Sequence, residues 1–158
     1  MHDQIPKIFC YVSKYDKNYI KRLNKNIAII YRNYTKTINH KEINNIKKIC
    51  KKTKRKFYLA NDIKNALKFD LDGVYIPSFN KNLKINAFAK KKKFKILGSA
   101  HNLQELKIKE LQRVDCIFLS PIFKIKKKNK FLDIIKFNNL KKNTKKKIIC
   151  LGGIKINN

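Results

Sequence analysis

The residues with most chemistry to offer stand at the ends of short apolar runs. Arg32 follows IAIIY, Asn61 and Asp62 follow FYLA, and Ser78 follows GVYIP. Ser99 and His101 lie in the GSAH after residues 94–97, Ser120 closes CIFL, and Gly152 and Gly153 close IICL. Arg32 stands out because lysine dominates elsewhere and an arginine was kept at a strand end. Two adjacent glycines lack Cβ atoms, so at the carboxyl end of a strand their backbone can approach and cradle a phosphate. Only the glycine pair points to phosphate by itself, and its value depends on a parallel sheet that gathers other groups on the same rim.

The runs at 8–12, 27–31, 57–60, 73–77, 94–97, 116–119 and 148–151 read as seven short strands. The last, ending on the glycine pair, is expected to be fully buried. Helical segments alternate with them. One covers 16–26 with Tyr19, Ile20 and Leu23 on one face. A second opens on Asn39, with Glu42 as capping-box partner and Ile43, Ile46, Ile49 and Cys50 as its apolar stripe. Shorter helices carry Ile63, Ala66 and Leu67, and Leu83, Ala87 and Phe88. Asn102 and Glu105 repeat the cap before Leu103, Leu106 and Leu111, and a final helix lies around 133–142. Strands that read as continuous apolar runs between helices argue for a parallel sheet with helices outside. An open doubly wound sheet and a (β/α) barrel both fit that pattern. No G-x-G-x-x-G follows the first strand, and polar residues end nearly every strand, so the expected fold is α/β, a TIM-type (β/α) barrel.

At 158 residues with 43% hydrophobic content, the chain is long enough for one domain with a true core, spanning 1–158. No apolar run reaches the roughly 18–20 residues that cross a bilayer. The amino terminus lacks a signal peptide's apolar segment, so a cytoplasmic protein without a membrane partner is expected. Four cysteines, at 10, 50, 116 and 150, form no C-x-x-C pair and read as buried reduced thiols. The formal charge of +30 raises a basic nucleic-acid-binding module as an alternative. Only four of the 40 basic residues are arginine, however, and the lysines are spread along the whole chain. Lys, Ile and Asn supply 79 of the 158 residues, as A/T-rich coding would produce. A solvated lysine surface with non-specific, salt-dependent attraction to nucleic acid is the expectation.

Four segments resemble one family, the thiamine-phosphate synthases and the related TenI thiazole tautomerases. YLANDIKNALKFDLDGVYIPS is similar to their NDR-x-D-x-A…A-D-G-V-H-L segment, and ILGSAHNLQEL to G-x-S-x-H-x-x-x-E. DCIFLSPIF is similar to D-Y-x-x-x-G-P-V-F, and IICLGGIKINN to V-A-I-G-G-I-x-x-x-N, in order and in register from about residue 27 onward. The resemblance implies a transferase of thiamine biosynthesis that joins a pyrimidine methyl pyrophosphate to a thiazole phosphate, with Mg²⁺ as cofactor. It implies Arg32, Asn61, Ser99 and Lys128 as pyrophosphate ligands, Asp62 as a magnesium carboxylate, and Gly152 and Gly153 as the thiazole-phosphate seat. A TenI-like tautomerase, or a phosphate-ligand binder that has lost catalysis, is the alternative within the family. The chain also departs from the pattern. The arginine motif reads Ile30-Tyr31-Arg32-Asn33-Tyr34, a second magnesium aspartate falls near Asn80, and the tautomerase histidine falls on Pro121. The family's eighth strand and helix would follow Asn158. The expected barrel is therefore incomplete at its carboxyl end: either the sequence is truncated, or the barrel stays open or closes against another chain, as in a homo-oligomer.

Structural roles compete for the same residues. Asp62 could cap the helix after the third strand, Asn61 could be a turn residue, and Ser99 could cap the helix that follows it. His101 is expected to make a structural hydrogen bond. The glycine pair could be a tight turn.

Overall fold

The computed structural model describes residues 4–34, 39–90, 93–124 and 131–152, with the side chains of 89 and 90 left aside. Seven strands alternate with helical segments: β1 (Ile8–Val12), α1 (Lys17–Arg22), β2 (Ile27–Tyr31), α2 (His40–Lys52), β3 (Phe57–Ala60), α3 (Ile63–Lys68), β4 (Gly73–Ile76), a 3-10 segment (Leu83–Lys90), β5 (Lys95–Ala100), α4 (Leu103–Leu111), β6 (Cys116–Leu119), α5 (Asp133–Lys142) and β7 (Lys147–Cys150). The strands form one sheet in chain order, β1 to β7, and the registered pairs are parallel. That order follows when each helix returns the chain to the start of the neighbouring strand. No helix among the described residues is long and apolar enough to cross a membrane.

The chain divides into two compact units, Met1–Tyr75 with Lys92–Lys95, and Ile76–Lys91 with Ile96–Asn158. In the first, register places Phe9, Tyr11, Ile30, Tyr58 and Tyr75 on one face of the sheet. Phe9 packs on Tyr58 at 5.8 Å and Tyr11 meets Tyr75 edge-on at 5.5 Å. The opposite face carries Ile29, Tyr31, Phe57, Leu59 and Val74, all buried, as are Ile20 of α1, Ile43 and Ile46 of α2 and Ala66 of α3. In the second unit, β6 is buried throughout, and Leu106 of α4 is fully buried. α5 buries none of its residues.

Acidic residues are scarce in this chain, and most serve the backbone. Asp16, Asp62 and Asp133 accept from the amides of Tyr19, Asn65 and Lys136 at the starts of α1, α3 and α5. Asp72, just before β4, accepts from the Phe57 amide that opens β3, and Asp115, just before β6, accepts from Ile96 in β5. The same device thus fixes strand starts in both units.

Several expectations change. The helix expected over 16–26 is only six residues long, because Leu23 turns extended. Asn39 and Asn102 cap their helices as expected, accepting from Glu42 and Glu105. The carboxylates of those glutamates go elsewhere, Glu42 to the Tyr31 hydroxyl and the Tyr15 amide, Glu105 to the His101 amide and ring. The GSAH segment is no turn at its start, for β5 continues through Gly98, Ser99 and Ala100. Gly98 sits there because a Cβ would lie 3.0 Å from the Lys109 side chain and 3.1 Å from Val114. β7 is only partly buried, and its Cys150 is exposed. All four cysteines are free, but only Cys50 and Cys116 are buried.

Candidate functional site

In the first unit, Arg32 follows β2 and continues its pairing, its amide donating to the Val12 carbonyl at 2.8 Å. Its guanidinium lies over the Tyr11 ring, 4.4 Å from the centroid. That cation–π contact holds a charged fork at the carboxyl end of the sheet while leaving Arg32 exposed. The Tyr11 hydroxyl is buried with no hydrogen bond of ordinary geometry. Burial, and after it the nearby Tyr75, pushes the Tyr11 pKa strongly up, with Arg32 pulling the other way. Burial likewise raises Tyr34, and Arg32 again opposes it. Tyr11 and Tyr34 are thus the two phenols held up by burial and opposed by the Arg32 charge. On the helix-facing side, Tyr31 donates to Glu42, and its pKa is pushed up to about 12 by burial and then by that hydrogen bond.

One strand further on, Asn61 takes the left-handed conformation (φ 60°), and its amide donates to the Tyr75 carbonyl at 2.7 Å. Asparagine tolerates that region better than most side chains. The turn directs the chain into Asp62, whose Oδ1 accepts from the Asn65 amide at 2.9 Å and whose Oδ2 accepts from the Asn65 side chain at 2.8 Å. Asp62 is thus the N-cap of α3. Among the described residues no three His, Cys, Asp or Glu side chains gather to hold a metal. The set still fits Mg²⁺ in one limited sense. A carboxylate has about four lone-pair sites, of which Asn65 occupies two, and Mg²⁺ is commonly held by one carboxylate together with substrate phosphates.

In the second unit, Ser99 is buried inside β5, opposite Phe118 of β6. It caps no helix; Asn102 does. His101 Nδ1 pairs with Glu105 at 2.9 Å, the structural hydrogen bond expected for it. Gly152 has φ 91°, and a Cβ there would meet Pro121 at 2.8 Å. The near approach its missing side chain permits is to the segment after β6. Ile122 and Phe123 donate to the carbonyls of Leu151 and Gly152, which ties the two segments together. Lys128 and Gly153 lie outside the described residues.

A sequence profile described as thiamine monophosphate synthase matches residues 21–158, most of the chain. The chain belongs to the thiamine monophosphate synthase family. No curated protein sequence matches at a significant level. Among solved structures, a thiamine phosphate pyrophosphorylase from Pyrococcus furiosus superposes with a TM-score of 0.62 at 17% identity, over 81% of this chain and 62% of that one. A U32 peptidase superposes with a TM-score of 0.65 at 8% identity, over 91% of this chain and 67% of that one. At such identities the likeness concerns the fold, which is TIM-type. The chain spans about 62% of the length of the pyrophosphorylase.

Within this synthase-family chain, Arg32, Asn61 and Asp62 occupy the carboxyl ends of the paired strands β2 and β3 in one unit. Ser99 and Gly152 stand at the corresponding ends of β5 and β7 in the other. Two features were not anticipated from the sequence. One is the tyrosine setting of Arg32, whose Tyr11 is recognisable only by its place one residue before the end of β1. The other is Lys109 of α4, fully buried, whose Nζ donates to the carbonyls of Pro77 and Asn80 and to Gln112, each within 2.9 Å. Gln112 in turn donates to the carbonyls of Asn80 and Asn82. Together they fasten the segment after β4 through the carbonyls of Pro77, Asn80 and Asn82.

Proposed function

We propose that this chain carries out, or retains the ligand binding of, the thiamine-phosphate synthase reaction. A pyrimidine methyl pyrophosphate and a thiazole phosphate are joined and pyrophosphate is released. The carbon–oxygen bond to the leaving group breaks, its electron pair departs with pyrophosphate, and the thiazole nitrogen forms the new bond to carbon. The observation that carries this reading is Arg32, set over Tyr11 at the end of β2 and one strand from Asn61 and Asp62. A guanidinium in that place would take pyrophosphate oxygens bidentately and favour the charge that builds as the leaving group departs. Asn61 would donate its amide side chain to the same group, with Ser99 and Lys128 as further donors. Gly152 and Gly153 would offer backbone amides to the thiazole phosphate. Asp62 would hold Mg²⁺, which supplies charge neutralisation for the leaving group when bound. The tautomerase alternative finds Pro121 where its histidine would stand.

Mixing the purified protein with both phosphorylated precursors and Mg²⁺ tests the reading. Thiamine phosphate and pyrophosphate are the expected products. No product, together with no calorimetric binding of either precursor, overturns it. Asp62→Asn separates the two roles of that residue, since asparagine caps a helix about as well as aspartate. Its melting temperature should stay near that of the parent, while the Mg²⁺-dependent part of pyrophosphate binding is lost. Equal Mg²⁺ dependence in both proteins would remove Asp62 from the metal site.

A further inference from the structure

The amino-terminal end of β3 holds a second basic feature, away from the strand ends where the proposed reaction is placed. Arg55 lies in the turn between α2 and β3 and is only 5% exposed. Its Nε donates to Thr53 Oγ1 at 3.1 Å and its Nη2 to the Leu23 carbonyl. Nη1 is shielded from solvent and has no acceptor. No carboxylate pairs with this guanidinium among the described ion pairs. A buried cation without a counter-charge is costly, and a buried donor left unpaired adds to the cost. Such a group is expected where a ligand supplies the missing charge.

A cleft of about 330 Å³ opens beside it, lined by Arg55 together with Lys47, Lys51, Lys54 and Lys56. Its two carboxylates do not cancel these cations. Asp72 offsets Lys56 and accepts from the Phe57 amide, and Asp70 lies exposed at the rim, so the two acids leave Lys47, Lys51, Lys54 and Arg55 in excess. The carbonyl end of α2 disfavours an anion nearby, but the carbonyls of Ile49, Cys50 and Lys51 already accept from the amides of Thr53, Arg55 and Lys54. Phe57 and Leu71 contribute apolar, buried wall. A buried fork, the exposed ammonium groups of Lys51 and Lys54 and an apolar side suit one compact anionic group better than an extended polyanion.

We infer that this cleft is a binding site for a phosphate group, free or carried as a phosphomonoester on a small molecule, with Arg55 as its buried anchor. The test is a titration of the full chain, at constant ionic strength, with inorganic phosphate in one arm and glycerol phosphate in the other, followed by NMR of the arginine Nε–H and backbone amide signals. A saturable shift at Arg55 and at residues 50–57 is expected. Response to both ligands identifies a phosphomonoester site, and response to inorganic phosphate alone a free-anion site. The double variant Lys51→Gln/Lys54→Asn removes two exposed cations, and asparagine suits the positive φ of Lys54. It should fold normally and bind about tenfold more weakly. The inference is overturned if chloride gives the same shifts, if the double variant binds as the parent does, or if the shifts appear at Arg32 and not at Arg55. Because Arg32 and Arg55 report separately, failure here is distinct from failure of the proposed synthase site.

Discussion

Arg32 and Gly152 show how differently two candidate residues can be held. Arg32 is exposed, and its contact with Tyr11 is worth about 0.5–1 kcal/mol at such a site. Arg32→Lys keeps the charge and loses the fork, so pyrophosphate binding measured by calorimetry should weaken about tenfold with almost no change in melting temperature. Gly152 is fixed by its backbone and by Pro121. Gly152→Ala should cost about 1–3 kcal/mol in urea unfolding, whatever happens to ligand binding. The sequence marked Arg32 because arginine is rare among so many lysines and this one ends a strand. It marked the glycine pair for the space a missing Cβ leaves, but could not tell that Pro121 fills that space beside Gly152. The burial of the Tyr11 hydroxyl beside Tyr75 was beyond the sequence altogether, since it depends on side-chain placement between strands.

α4 carries the clearest consequence among the elements. Lys109 and the C-cap residue Gln112 lie three residues apart and fasten the segment after β4. Lys109→Met leaves the Pro77 carbonyl without this donor and should destabilise the chain by about 2 kcal/mol. Burial lowers the Lys109 pKa to about 8, with Glu105 acting in the opposite direction. The unfolded chain keeps that proton to about pH 10.4. Unfolding between those values takes up a proton, so the stability contributed by Lys109 rises with pH across that window. The gap between parent and Lys109→Met in urea unfolding should therefore be wider at about pH 9.5 than at about pH 7. A lysine on a helix looked like part of a solvated face in a chain this basic, and only packing distinguishes it. The strands, by contrast, were legible as apolar runs. β5 ran further than expected because its glycine answers to the Lys109 and Val114 side chains, a long-range cause that imitates a local turn signal.

At the scale of the molecule, the sequence carried the order of elements and the family, because seven apolar runs and four motif segments stay in register. It did not carry the burial of β7, where an apolar run left Cys150 exposed. Burial pushes the thiols of Cys50 and Cys116 up to about 12. A disulfide reagent applied to the native chain should label Cys150 rapidly, and Cys50 and Cys116 only after denaturation, as mass spectrometry of the labelled peptides would read. The scarcity of acid groups has one more consequence. The chain has ten aspartates and glutamates against 40 basic residues. Asp16, Asp62, Asp72, Asp115 and Asp133 hold backbone amides at helix or strand starts, while Glu42 and Glu105 brace tyrosine and histidine. Under mutational drift toward lysine, selection for folding alone would preserve such carboxylates. A lineage that abandoned catalysis would thus keep Asp62 for as long as α3 needed its cap, whereas Arg32 caps nothing and would be free to change. In descendants of this chain, the persistence of Arg32 is the better record of a working site.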